Sequence, residues 1–111
     1  MTLLQSKITL EITDIAVDLL QKRMSNSELH SPIPGLIWAM WSNESHYKWQ
    51  IGFYEKDEIE EGFLIMADGL TLYVYQDWLL EYLDNSTLDI VNNTITVSKN
   101  GAEIKPEFHP E

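Results

Sequence analysis

A hairpin that leads into a short helix, residues 61–83, constrains the fold more than any other stretch of the chain. Its first arm is a compact apolar run, and Asp68-Gly69 follows, a dipeptide typical of two-residue hairpin turns. In the second arm, residues 70–75, Leu and Val alternate with Thr and Tyr, so the apolar side chains share one face. Asp77 is then predicted to cap the short helix. This stretch predicts an antiparallel strand pair packed near a helix.

The absence of cysteine limits the chemistry of the chain. Its 111 residues are enough for one hydrophobic core without a disulfide or metal staple. With no cysteine, disulfides, thiolate zinc sites, Cys-ligated iron–sulfur clusters and thiol nucleophiles are excluded. We therefore expect no cofactor. No motif for nucleophilic, phosphate-binding or metal-helix catalysis is present either, so the chain is not predicted to be an enzyme.

The strong negative charge narrows the classes of partner. The formal net charge is −11, from 18 acidic and 7 basic residues. Nucleic acids and anionic membranes both require basic residues, so neither is an expected partner. No apolar run approaches the roughly 20 residues of a membrane span, and the N-terminus does not resemble a signal peptide, so a cytoplasmic location is expected. The acidity indicates either solubility alone or a surface for a basic protein or a cation.

The first part of the chain predicts one strand and one helix. Residues 7–12 alternate apolar and polar side chains, the pattern of a strand. Thr13 or Asp14 is the predicted cap of an amphipathic helix over residues 14–24, whose apolar side chains recur at helical spacing. This helix is expected to cover one side of a sheet.

The middle of the chain predicts a long loop and two strands. Residues 25–35 are rich in turn formers, and Pro32 and Pro34 argue against regular structure there. Residues 36–41 are apolar at every position, which fits a strand covered on both faces or an exposed apolar edge. Residues 46–54 alternate and form the next predicted strand.

The last part of the chain predicts a second hairpin and a tail. Asn92-Asn93 tolerates the left-handed backbone of a tight turn, and the strand at residues 94–98 returns from it. Residues 99–111 contain two prolines and few apolar side chains, so we place a single domain at residues 1–98, followed by a tail. The predicted class is α+β: a compact mixed or mainly antiparallel β-sheet, one amphipathic helix near the N-terminus and a short second helix.

The order of these elements resembles that of a known family. Gln50-Ile51-Gly52-Phe53, an acidic linker, the strand opened by Asp68-Gly69 and the helix end Tyr82-Leu83-Asp84 follow one another as they do in the HesB-like family. This is the family of A-type iron–sulfur cluster carriers, and the likeness is to its short members from Gram-positive bacteria, across residues 7–98. The resemblance implies a compact mixed sheet with a helix packed against it.

The residues that carry the family's chemistry are missing. Its mid-chain cysteine would fall at residues 42–45, with Glu44 as the nearest counterpart, and its Cys-Gly-Cys pair would fall at residues 98–101. Neither position holds a cysteine, so no cluster ligand carries over. We expect a HesB-like protein related to iron–sulfur cluster biosynthesis factors that does not bind a cluster and acts as a small acidic protein-binding module.

Two alternatives start from the acidic residues. Glu44 and His46 are the candidates for a non-haem metal site with carboxylate and imidazole ligands, although two ligands are too few for a closed site. An acidic inhibitor or immunity-type protein, which neutralises a basic partner, is the other alternative. The remaining acidic run, at residues 57–61, lacks the alternation of a calcium loop and is interpreted as a solvated connection.

The aromatic side chains of the two middle strands are the best candidates for a partner-binding surface. If one face of the strand at residues 36–41 is covered, either Trp38 or Trp41 points outward. Exposed Trp and Tyr side chains among acidic residues are typical of protein-binding patches and of edges that self-associate. We therefore predict a partner-binding role for Trp38, Trp41 and Tyr54, with a homo-oligomer through this region as another outcome.

Overall fold

The computed structural model describes residues 3–43 and 45–106 of the protein. Short strands are the commonest regular elements of this part of the chain, and two helices and two 3₁₀ turns accompany them. In chain order the elements are β1 (Leu3–Gln5), β2 (Leu10–Ile12), α1 (Asp14–Ser25), β3 (Pro32–Ala39), β4 (Lys48–Glu55), a 3₁₀ turn (Lys56–Glu58), β5 (Gly62–Ala67), β6 (Leu70–Val74), a 3₁₀ turn (Asp77–Leu79), α2 (Leu80–Leu83), β7 (Ser86–Val91), β8 (Thr94–Lys99) and β9 (Ala102–Glu103).

These strands form two mixed sheets and not the single sheet that was expected, whereas the predicted α+β class is confirmed. One sheet has five strands in the order β1-β5-β6-β3-β4, and the other has four in the order β2-β7-β8-β9. Chain neighbours pair antiparallel, whereas β1 joins β5 and β2 joins β7 in parallel. β3 also joins β6 in parallel, and the pairs made by β1 and β2 attach the N-terminal region to both sheets.

Both predicted hairpins are confirmed, and their turns have the expected backbone. Asp68 and Gly69 have φ of 51° and 82°, and Asn92 and Asn93 have φ of 51° and 63°. Positive φ at both central residues is the mark of a type I′ turn, whose twist matches that of the flanking strands. Short local signals therefore set the register of these two ladders.

Helix α1 is also confirmed, within one residue of its predicted end. The Thr13 hydroxyl accepts a hydrogen bond from the Ala16 backbone nitrogen at 3.2 Å, so Thr13 is the N-cap. Ala16 and Leu20 are fully buried in the core. The first predicted strand is shorter than expected: it begins at Leu10, and the nitrogen of the preceding Thr9 donates to the carboxylate of Asp84, the C-cap of α2, at 2.8 Å.

The prediction of a loop over residues 25–35 was wrong at its end, because β3 begins at Pro32. The nitrogen of Lys56 donates to the Ser31 carbonyl at 2.9 Å, and along an antiparallel ladder such exchanges recur at every second residue. Odd-numbered residues of β3 therefore bond to β4, and Pro32 and Pro34 direct their nitrogens away from it. On the side that faces away from β4, β3 pairs with β6 at one residue pair. Neither proline removes a ladder hydrogen bond.

The short helix begins differently from the prediction. Asp77 is not an N-cap but the first residue of the 3₁₀ turn that runs into α2, and no side chain of the described residues caps either start. Gln76, the residue before Asp77, bonds to the neighbouring strand β3 instead. Its Oε1 accepts from the Trp38 nitrogen at 3.1 Å, and its Nε2 donates to the Trp38 carbonyl at 3.4 Å.

The fold extends past residue 98, the predicted end of the domain. β9 pairs with β8, and Ile104 packs against the hydrophobic core. The Ile104 carbonyl accepts a hydrogen bond from Trp49 Nε1 at 2.9 Å, and Pro106 is buried. Residues 99–106 are therefore part of the domain, and residues 107–111 lie outside the described residues.

A single hydrophobic core joins the two sheets and α1, and it leaves one sheet face free. The fully buried core side chains include Leu36, Leu72, Leu88 and Val97, from both sheets. Each such leucine stabilises the fold by about 1.5–3 kcal/mol through burial. Because strand side chains alternate, the residues between them in β3, β4 and β6 lie on the opposite face of the five-stranded sheet. We call this the outer face.

Candidate functional site

An open groove of about 650 Å³ crosses the outer face of the five-stranded sheet. We call it the tyrosine groove. Its floor comes from β3 and β6, one wall comes from β4, and the other comes from the connection between β4 and β5. Its lining residues are Ile37, Ala39, Tyr54, Glu58, Ile59, Glu60, Glu61, Tyr73, Tyr75 and Gln76.

Three tyrosines supply the aromatic surface of this groove. Tyr54 and Tyr73 form an edge-to-face pair, with ring centroids 5.5 Å apart and planes at 67°. Tyr54 is 36% exposed and Tyr75 is 57% exposed, so both present ring surface to the groove. Gly35 makes the pair fit, since a Cβ there would lie 2.8 Å from Tyr54 Cδ1 and 3.3 Å from Tyr73 Cδ2. The ring of Tyr54 therefore rests over a glycine.

Tyr73 is the fixed member of this set. Its side chain is only 7% exposed, and its hydroxyl donates to the Glu61 carbonyl oxygen at 2.7 Å. Burial raises the pKa of the Tyr73 hydroxyl, and the negative charges of ionised Tyr54, ionised Tyr75 and Glu61 raise it further. The Tyr73 hydroxyl therefore remains a neutral hydrogen-bond donor, and this hydrogen bond fixes the start of β5 to the groove floor.

We expect the phenol of Tyr73 to ionise at higher pH than an ordinary tyrosine. The folded protein favours the neutral form, so the free energy of unfolding should fall as the pH rises above about 10, the ordinary tyrosine value. The ultraviolet absorbance of wild type and of Tyr73→Phe is compared during an alkaline titration, and the difference contains the ionisation of Tyr73. Tyr54→Phe removes a neighbouring negative charge and should bring the pKa of Tyr73 back towards the ordinary value. A difference titration centred at the ordinary value would contradict this assignment.

Acidic side chains line the groove, and no basic side chain of the described residues does so. Glu58 ends a 3₁₀ turn, and Glu60 and Glu61 follow it in the connection that forms the wall. Carboxylates beside a low-dielectric aromatic surface produce a local negative potential. The groove can therefore attract a cation and repel an anion, and the faces of its tyrosines can contact a cation directly.

The structure places the predicted partner-binding residues in different environments. Trp38 is 7% exposed and packs in the core, with its ring 5.1 Å from that of Trp49 and 6.4 Å from that of Tyr47. Trp38 is therefore a core residue and does not contribute to a surface. Trp41 is the outward tryptophan, at 53% exposed, and its Nε1 donates to Gln50 Oε1.

Tyr54 and Trp41 both belong to the outer face. Tyr54 lines the tyrosine groove directly. Trp41 lies beside it through Gln50, whose Nε2 donates to the carbonyl of Ala39, a lining residue, at 3.1 Å. Tyr73 and Tyr75 were not predicted as site residues, although their alternation with apolar residues in the second hairpin arm placed them on one face. Their proximity to Tyr54 depends on the pairing of β3 with β6.

The two metal candidates do not form a site within the described part of the chain. His46 is exposed, and its Nδ1 lies 3.3 Å from the hydroxyl of the adjacent Ser45. Glu44 lies outside the described residues. Among residues 3–43 and 45–106, no group of three His, Asp or Glu side chains is arranged to hold a metal ion. Within the same residues, no helix has the length and apolar character needed to span a membrane.

Comparison with known proteins does not assign the chain to a family. No protein-family model matches it, and no curated protein is significantly similar to it. The resemblance to the HesB-like family therefore stays a prediction. The tyrosine groove, rather than a family motif, carries the functional interpretation.

Proposed function

We propose that this protein is a small acidic protein-binding module whose tyrosine groove holds a basic side chain of a partner protein. The observation that carries the proposal is the lining itself. Tyr54, Tyr73 and Tyr75 surround the floor, three glutamates form the wall, and no described lining residue is basic. We further propose that the module descends from the HesB-like family, is not an enzyme and has no cluster or cofactor.

Arginine or lysine fits this lining better than other side chains. A cation over the face of a tyrosine gains about 0.5–1 kcal/mol at an exposed site, and more when water is excluded. Arginine also stacks flat on aromatic rings and bonds to carboxylates with two parallel N–H groups. Because the groove is open along the sheet face, a side chain from the surface of another protein can enter it. Nucleic acid is disfavoured, since its phosphates would meet the three glutamates.

The overall charge supports the same partner class. With a net charge of −11, the whole surface attracts a basic protein and accelerates its association. An inhibitor or immunity-type protein that neutralises a basic partner would use the same feature, and we treat it as one form of this function. The metal-handling alternative receives no such support, because no described metal-ligand cluster accompanies His46.

A short arginine peptide tests the proposal without knowledge of the partner. In NMR titrations, acetyl-Gly-Arg-Gly-amide should shift the resonances of the groove residues, whereas acetyl-Gly-Gln-Gly-amide should not. Tyr75→Ala removes the most exposed ring of the groove and should weaken arginine binding about two- to fivefold, the equivalent of one cation–aromatic contact. Raising the salt concentration should weaken it as well, since the glutamates are partly exposed.

Two variants of equal charge separate the groove from the general acidity of the surface. Glu60→Gln lies in the wall of the groove, and Glu28→Gln lies on an exposed loop outside it. Each removes one negative charge, but only Glu60→Gln should weaken arginine binding. If the two variants weakened arginine binding equally, the interaction would depend on the net charge of the protein and not on the groove. A wild type that binds the arginine and the glutamine peptides equally would overturn the proposal.

A further inference from the structure

The tyrosine groove continues into a second pocket, of about 360 Å³, at the end of the β5–β6 ladder. The two share Glu61, Tyr75 and Gln76, so these residues form a common wall. The remaining residues of the second pocket are Gly62, Phe63, Asp77 and Trp78. A ligand side chain in the groove therefore lies one wall away from this pocket.

The second pocket repeats the chemistry of the first. It combines two carboxylates, of Asp77 and Glu61, with the aromatic rings of Phe63, Tyr75 and Trp78. No basic side chain of the described residues lines it. The Trp78 ring packs edge-to-face against Tyr82, with centroids 6.2 Å apart, and this contact helps to fix its position. This set also favours a cation.

The wall between the two pockets is fixed on one side and exposed on the other. The amide of Gln76 bonds to the nitrogen and the carbonyl of Trp38, so Gln76 is held against β3. Tyr75, at 57% exposed, lines both pockets, and we call it the ridge. A chain that crosses this ridge in an extended conformation places residues i and i+2 on the same side, about 7 Å apart.

We propose that the partner segment presents two basic side chains at alternate positions, one in the tyrosine groove and one in the second pocket. This inference rests on the proposed function and adds the class of ligand: an extended segment of the type Arg-x-Arg or Lys-x-Arg. Charge complementarity supports it, because four carboxylates, those of Glu58, Glu60, Glu61 and Asp77, border the two pockets. Two adjacent basic residues would point to opposite sides of an extended chain, so only one of them would reach a pocket.

Two peptide isomers of identical composition and charge test the spacing. Acetyl-Gly-Arg-Gly-Arg-Gly-amide should bind at least about threefold tighter than acetyl-Gly-Arg-Arg-Gly-Gly-amide, the gain expected from a second cation–aromatic contact. The single-arginine peptide acetyl-Gly-Arg-Gly-Gln-Gly-amide should bind like the adjacent isomer. Affinities come from NMR titration, which also reports that each variant is folded.

Asp77→Asn assigns the preference to the second pocket. It should abolish the advantage of the alternate isomer, so that the two isomers bind the variant with equal affinity. Asp18→Asn makes the same charge change on the exposed side of α1 and should preserve the advantage.

Each contrary outcome has a distinct meaning. Equal affinities for the two isomers in the wild type would overturn the two-pocket ligand while arginine binding in the groove stands. An advantage that survives in Asp77→Asn would overturn the assignment to the second pocket. A wild type that binds none of the arginine peptides would overturn both this inference and the proposed function.

Discussion

A Gly62→Ala variant is expected to lose about 2–4 kcal/mol of the free energy of unfolding, a large part of the roughly 5–15 kcal/mol that holds a domain together. Gly62 has φ of 125°, where a side chain is strained by about 1–3 kcal/mol. The new Cβ would also lie 2.6 Å from Tyr73 Cε1. Tyr73 cannot yield without breaking its 2.7 Å hydrogen bond to the Glu61 carbonyl, which is worth about 0.5–1.5 kcal/mol.

Two other glycines provide matched controls for the two causes of this loss. Gly69 also has positive φ, 82°, but a Cβ there meets nothing within 4 Å, so Gly69→Ala should show backbone strain alone. Gly52 does not have positive φ, and its nearest neighbour would be 3.6 Å away, so Gly52→Ala should be close to neutral. Urea unfolding followed by tryptophan fluorescence gives all three values. If Gly62→Ala cost no more than Gly69→Ala, the contact with Tyr73 would not contribute.

The elements that the sequence predicted correctly are those with local signals. Asp68-Gly69 and Asn92-Asn93 specify type I′ turns through their own backbone preferences, and Thr13 specifies a helix start through a hydrogen bond three residues away. Each signal acts within a few residues, so it can be interpreted without knowledge of the rest of the fold. The class and most of the element order follow from them.

The errors lie where distant pairing decides the local structure. Pro32 and Pro34 were expected to exclude a strand, but the register of β3 against β4 turns their nitrogens to the side where no ladder hydrogen bond is needed. The strand β1 was not predicted because three residues, Leu3–Gln5, gain order only from the parallel partner β5. A register between segments about 60 residues apart leaves no trace in a local pattern.

Pairing between distant segments also limited how much of the candidate site could be predicted from the sequence. The acidic run was recognised but interpreted as a solvated connection, and Tyr54 was named without its neighbours. Tyr54, Tyr73 and Tyr75 come together only because β3 lies between β4 and β6. Of the two tryptophans, Trp38 is buried and Trp41 is exposed, a choice that depends on which face of β3 packs against the core. Composition therefore indicated an acidic, aromatic surface, and the sheet order determined which side chains form it.

Gly35 connects this sheet order to the proposed function, and its substitution should affect binding more than any other single change in the floor. Gly35 is buried and pairs with Gly52 on one side and with Tyr73 on the other, so its backbone is held in place. An alanine Cβ would lie 2.8 Å from Tyr54 Cδ1 and closer still to Cε1. The partly exposed Tyr54 ring is the group that can move. Gly35→Ala should therefore turn Tyr54 away from Tyr73.

The expected result is a loss of the aromatic pair and of the wall that Tyr54 provides. Losing the pair costs about 0.5–1.5 kcal/mol of stability, and the arginine tripeptide should bind Gly35→Ala as weakly as it binds Tyr54→Ala. The double variant then separates this mechanism from general damage. Without the Tyr54 ring, the nearest group to alanine at position 35 is Tyr73 Cδ2 at 3.3 Å, so only this smaller contact adds to the stability loss, and the double variant should bind no more weakly than Tyr54→Ala alone. Additive losses in the double variant would show that Gly35 acts through the strand backbone rather than through Tyr54.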